Sequence, residues 1–264
     1  REDEAQRKLE AALELNNSHL PTLRAVGPLY LKGKDHHNGQ KVYRQILQLI
    51  GGSAARAEQA EAYVALGQVE LALGQPEKAR KRFNKALELA PNDIQALQGV
   101  ASVLYASGEW SNLLNVFNTV IYHAKEPGDV IEAYLTKGYV LDAHMGLVDK
   151  AAQHYQKTLA FDPAQSEALM RLAELALRKQ DWAEAGSLAD RALSLEIADA
   201  TRRAHLLAIK AVASQAVGDA DRADTDFAAA KDTAPAFAEA LGEVGLSDLG
   251  ALHGLLKAAL QAER

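Results

Sequence analysis

The chain is expected to fold as an all-α solenoid of antiparallel helix pairs, and three observations predict it. A 34-residue period of apolar and small residues runs through almost all of the 264 residues. The chain is 48% hydrophobic but only 6% aromatic, as expected where alanine and aliphatic side chains mediate helix–helix contact. No β-branched alternating run competes with the helical period.

The clearest copy is Ala60 to Asp93, with Tyr63, Leu66-Gly67, Gly74, Ala79, Phe83, Ala86 and Pro91 at repeat positions 4, 7–8, 15, 20, 24, 27 and 32. Before it, Leu20 onward gives Leu23, Val26-Gly27, Tyr30, Gly39, Tyr43 and Ile46. Earlier still, Ala5, Leu9, Ala12 and Leu15 match only a second helix. After it, Ile94 onward gives Leu97, Val100-Ala101, Gly108, Phe117 and Val120. Ile131 onward gives Tyr134, Lys137-Gly138, Gly146, Ala151, Tyr155, Thr158 and Pro163, with one extra residue needed between Gly138 and Gly146. Ser166 onward gives Leu169, Leu172-Ala173, Ala185, Ala189 and Ala192, with Gln180-Asp181 in place of the turn glycine. Ala204 onward gives Leu207, Ala211, Gly218, Ala223, Phe227, Ala230 and Pro235.

These copies predict one continuous solenoid over 1–264. Six repeats (about 20–50, 60–93, 94–128, 131–165, 166–199 and 204–237) follow a half-repeat at 1–19 and precede capping helices at 238–264, some fourteen helices in all. Small residues at positions 8 and 20, such as Gly67 with Ala79 and Gly138 with Ala151, are expected to bring the paired helices close. Glycine at position 15 suits a left-handed cap, and proline at position 32 stops the second helix. A single repeat buries too little apolar surface alone, so the stack is the stable unit.

Three interruptions predict local changes of geometry. Gly51-Gly52-Ser53 breaks the phase, with Ser53 as N-cap of a long helix from Ala54 to Leu73. Lys125-Glu126-Pro127-Gly128 is a second break, after a helix lengthened through Ile121. Pro28 is expected to bend the first helix of its repeat.

Taken together the slots resemble the tetratricopeptide repeat. The resemblance implies a right-handed superhelix and a non-catalytic protein–protein interaction scaffold whose partner is set by groove residues. In that family positions 2, 5, 6, 9, 12 and 13 of the first helix line the groove. Here they give Ala65, Gln68 and Ala72, then Gln95, Gln98, Ser102 and Tyr105, then Glu132, Thr136 and Tyr139, then Glu167, Met170, Arg171 and Glu174. The candidate partner-binding set is Gln68, Gln98, Ser102, Thr136, Tyr139, Met170, Arg171 and Glu174, with Tyr139 and Arg171 expected to dominate. Such a groove suits a helix or an extended segment. The carboxylate clamp of chaperone-binding members needs Lys, Asn and Arg in three successive repeats, and Arg24 and Arg171 stand alone. The segment Ile131 to Pro163 further resembles large bacterial scaffolds of the myxobacterial motility type, which implies a small Ras-like GTPase or motility machinery as partner. A peptide-sensing array, or the recruiting module of an enzyme whose catalytic domain lies elsewhere, are the alternatives.

Motifs for catalysis are absent: no phosphate loop, no G-x-G-x-x-G, no H-E-x-x-H and no G-x-S-x-G occurs. No cofactor or metal is expected; His36-His37 falls in an expected turn, and His144 and His154 lie in different helices without a third ligand. The run Lys78, Arg80, Lys81, Arg82 and Lys85 reads as a solvated outer face rather than a nucleic-acid stripe. The net charge of −6 and the absence of interleaved aromatics weigh against the latter. No apolar run has the length of a membrane helix, so no membrane insertion is expected. The absence of cysteine fits a reducing, cytoplasmic setting. The chain starts at Arg1, within a helical pattern, and reads as a piece of a longer protein.

Overall fold

The computed structural model describes residues 2–52 and 55–234, and among these there are thirteen α-helices, one π-helical turn and no strand. The chain forms two compact units, residues 1–129 and 130–264. The first contains α1 (Glu2–Leu15), α2 (Leu20–Lys32), α3 (His36–Ile50), α4 (Arg56–Ala72), α5 (Pro76–Leu89), α6 (Ile94–Ala106), α7 (Trp110–His123) and the first residues of α8 (Pro127–Tyr139). The second contains the rest of α8, the π-helical turn Val140–His144, α9 (Val148–Phe161), α10 (Ser166–Arg178), α11 (Trp182–Leu193), α12 (Ala200–Ala216) and α13 (Ala220–Thr233). Ser53, Pro235 and the capping helices expected over 238–264 lie outside the described residues.

The helix pairs are held by a ring seated in a notch. A Cβ built on Gly67 of α4 would stand 2.6 Å from the ring of Phe83 on α5, and one on Gly138 would stand 2.5 Å from Tyr155 on α9. Gly27 and Tyr43 repeat the arrangement at 2.9 Å. The small residue at position 8 therefore receives the aromatic at position 24, while Ala79 and Ala151 at position 20 are fully buried. Phe83 also meets Gly99 of α6, where an added Cβ would come within 2.4 Å. Its ring, fully buried, thus joins its own repeat to the next.

Position 15 has a positive φ in every repeat. Gly74, Gly108, Gly146 and Gly218 take values of 66–87°. Lys34 and Gln180 occupy the same slot at 57° and 61°. After it, the position-16 N–H reaches back to the position-11 carbonyl, as in Gln75 to Glu70 and Asp181 to Ala176, both 2.9 Å. In the repeat with one extra residue, Leu147 N–H reaches Leu141 O at 2.7 Å. The insertion is taken up as the π-helical turn Val140–His144, where one wider turn spends the extra residue.

The first two interruptions resolve differently from expectation. α4 starts at Arg56 with Ala55 as an N-cap lacking a side-chain bond, later than the expected start at Ala54. α7 has 14 residues, the same as α5 and α9, so that helix is not lengthened. Pro127 and Gly128 form the first turn of α8, where proline's missing N–H is harmless. His36 and His37 open α3 behind the Asp35 cap and are not in a turn. Pro28 sits inside α2, which runs on to Lys32.

Two stability outcomes follow. Gly99→Ala is expected to destabilise the chain by about 1–3 kcal/mol, since the ring cannot retreat from both sides. Combined with Phe83→Leu the losses should be strongly non-additive, and additive losses in chemical denaturation would refute the notch. Gln180→Gly should instead stabilise by about 0.5–1 kcal/mol, because the left-handed cost of a side chain exceeds glycine's entropy. An unchanged or lowered unfolding midpoint would contradict it.

Candidate interaction faces

In the first unit the first-helix face contains a cleft of about 280 Å³ between α2, α3 and α4. Arg24 and Pro28 line it from α2, at groove positions 5 and 9, and Glu61 and Ala65 from α4, at positions 2 and 6. Tyr43 and Ile46 form its floor, and Glu58 and Ala62 complete the α4 wall. Arg24 forms an ion pair with Glu58. Tyr43 is buried, which pushes its phenol up to about 12. Gln68, exposed, lies two turns beyond Glu61 on the same helix face.

The other candidates in this unit are engaged locally. Gln98 donates its Nε2–H to Asp129 at 2.8 Å, and the Ser102 hydroxyl donates to the Gln98 carbonyl at 3.0 Å. The basic run on α5 is largely neutralised. Arg80 pairs with Glu109 at 2.6 Å, Lys85 with Glu88 at 2.6 Å, and Lys78 donates to Gln75. Arg82 reaches Glu70, a fully buried carboxylate that also takes Arg44 of α3 at 3.1 Å. Glu88 is a partner from the same helix, while Glu70 and Glu109 come from neighbouring elements.

In the second unit the expected binding residues are mostly built into the structure. Met170 is 2% exposed and belongs to the core, so it offers no groove surface. Arg171 is 8% exposed, bonded to Glu167 at 2.9 Å and Glu174 at 3.3 Å, and lies over the Tyr139 ring. Burial opposes its charge, but Glu174 and Glu167 outweigh this and hold the guanidinium above its usual range. It is therefore not the free hot-spot side chain expected. Arg202 of α12 meets Glu167 at 3.3 Å, and Nε2 of the buried His205 lies 2.9 Å from Glu174. Tyr139 and Thr136 are half-buried on α8. The repeat period does not reveal this network, because its closing partners come one repeat later.

His144 packs edge-on to Tyr139, and His154 lies beside Tyr134 on the α8–α9 pair. Among the described residues no group of three or more His, Cys, Asp or Glu side chains is placed to hold a metal ion. None of the described helices is long and apolar enough to cross a membrane.

Two tetratricopeptide-repeat family models match the chain, one over residues 18–92 and the other over 143–202. Together they cover just over half of it, and the chain belongs to the tetratricopeptide-repeat family. The CTR9 homolog of Arabidopsis thaliana is 28% identical over 173 residues, 64% of this chain and 16% of that protein. The chain spans between 16% and 34% of the length of the curated relatives it matches. Among solved structures, PilF of Pseudomonas aeruginosa superposes with a TM-score of 0.63 at 17% identity, over 93% of this chain and 97% of that one. YrrB, a tetratricopeptide protein with an unusual peptide-binding site, gives 0.57 at 17% identity over 84% and 97%. These structural likenesses establish the fold.

The second unit should weaken in mild acid. Burial, then Lys137 and Lys157, lower the His154 pKa to about 4, so the folded chain favours the neutral ring. The unfolded chain takes up the proton near pH 6.5, and this contribution is lost as pH falls from there toward 4. His154→Gln should flatten that part of a stability-versus-pH curve; an unaltered slope would show that His154 is not its source.

Proposed function

We propose that the chain is a non-catalytic interaction module that holds a protein partner, as a helix or an extended segment, along the face formed by the first helices of its repeats. The observation that carries this is the open cleft of the first unit, lined at four groove positions and continued by exposed Gln68. These side chains are not consumed by the ring-in-notch packing, so the fold tolerates their commitment to a ligand. The second unit has a first-helix surface of its own, a preorganised polar one built of Tyr139 and the Arg171 network. The part-length matches to longer proteins support an array that recruits partners for activities located elsewhere. YrrB's peptide-binding site supports a segment as the bound form. The resemblance of Ile131–Pro163 to motility scaffolds supports a small Ras-like GTPase as partner and a cytoplasmic setting in a bacterium. Calorimetry with the GDP- and GTP-loaded protein tests the GTPase assignment.

The face itself is tested with a partner captured on the immobilised chain, identified by mass spectrometry and measured by calorimetry. Ala65→Trp with Gln68→Arg is expected to weaken binding by about tenfold or more, the effect of losing central contacts. Lys81→Ala with Lys85→Ala should leave it unchanged. The reverse pattern would place the partner on the α5 side and overturn the proposal.

A further inference from the structure

We infer that the cleft of the first unit takes a lysine or arginine side chain from the partner's bound segment. This rests on the reading of the first-helix face as the docking face, and adds the chemistry of its occupant. Four features of the lining favour a long cation.

The first is charge. Glu58 and Glu61 contribute two carboxylates, and Arg24 contributes one guanidinium. Arg24 is already paired with Glu58. Glu61 is exposed on the same wall, so an arriving ammonium or guanidinium meets a carboxylate not tied to Arg24. An arriving carboxylate would have to displace Glu58 from Arg24 and face Glu61 as a like charge.

The second is the α2 wall. Pro28, one turn beyond Arg24 at groove position 9, adds an exposed apolar ring to the lining, cover for a methylene stem.

The third is the floor. The buried Tyr43 side chain, whose ring end lies 2.9 Å from a Cβ built on Gly27, forms this floor with Ile46. Together with Ala62 and Ala65 they supply apolar cover for a methylene stem. The fourth is size. At about 280 Å³ the cleft is just below the range of small-molecule sites and suits one long side chain better than a cofactor.

The test uses short acetylated and amidated peptides, identical except for a central Lys, Arg, norleucine or Glu. Each is titrated into the isotope-labelled full chain, and the amide signals of Gly27, Tyr43, Glu61 and Ala65 are followed by NMR. The Lys and Arg peptides are expected to shift these signals and to bind about three- to fivefold more tightly than the norleucine peptide, the worth of one partly exposed ion pair. The Glu peptide should bind most weakly. Glu61→Gln, at an exposed position that leaves the fold intact, should erase the preference for Lys over norleucine, and raised salt should do the same. If norleucine or Glu peptides move the same signals as strongly as Lys, the face still docks a segment and the cationic subsite is refuted. If no peptide moves them and Ala65→Trp leaves partner binding intact, the docking face falls as well.

Discussion

Seating an aromatic ring against a position without a side chain is the contact on which both units depend. Phe83, Tyr43 and Tyr155 each press against a glycine on the first helix of their own repeat, at distances an added Cβ could not share. The energetic reason is that a ring buries a large apolar area only if the facing helix comes close, and glycine removes the atom that would prevent it. Gly99 extends this logic across a repeat boundary, because the same Phe83 ring meets it from the other side. Position 6, where Gly99 stands, is a groove position in the family pattern. Here it is given over to packing, so that on α6 the exposed groove positions are those of Ser102 and Tyr105.

A second constraint preserves the register that these contacts require. Every repeat turns between its helices through one left-handed residue, and the bond that follows ties position 16 back to position 11. Where the sequence carries an additional residue, the π-helical turn Val140–His144 absorbs it before the turn, and Tyr155 still reaches Gly138. The insertion therefore costs local helix geometry rather than ring seating. Lys34 and Gln180 show that the turn is imposed by the stack, since both adopt a φ that their side chains disfavour. Buried Glu70 adds a polar tie, drawing Arg44 and Arg82 from the helices before and after α4.

The repeat was legible because its signals are local: spacing, small residues, and glycine or proline at fixed offsets. The faces were less so, for a physical reason. Met170 and Arg171 occupy groove positions but are buried, and the carboxylates that hold Arg171 are themselves met by Arg202 and His205 of α12, about thirty positions later in sequence. A period assigns a residue to a helix face and says nothing of what the next repeat lays upon it. The cleft was hidden differently. Glu58 belongs to the extra N-terminal turn of α4, part of the long helix expected from the sequence, but it precedes the repeat start at Ala60 and so has no groove position in the period. Pro28 reads as a bend in α2, and its place in the cleft wall, one turn beyond Arg24, is not legible in the period.

The two units consequently present opposite kinds of polar surface. In the second, Arg171 satisfies Glu167 and Glu174, while Arg202 and His205 stand against the same two carboxylates. A ligand competing for Arg171 must break a nearly buried pair and leave charge uncompensated, a cost of about 3–5 kcal/mol before any contact is gained. That surface resists rearrangement and suits orientation of a partner through the Tyr139 edge rather than capture of its charged groups. In the first unit Glu61 is solvated and Arg24 is half-open, so recruitment of a cation displaces water rather than a structural pair. Specificity then arises from the contrast: the cleft favours a positive side chain through a carboxylate and an apolar lining for its stem, and disfavours a negative one through Glu61.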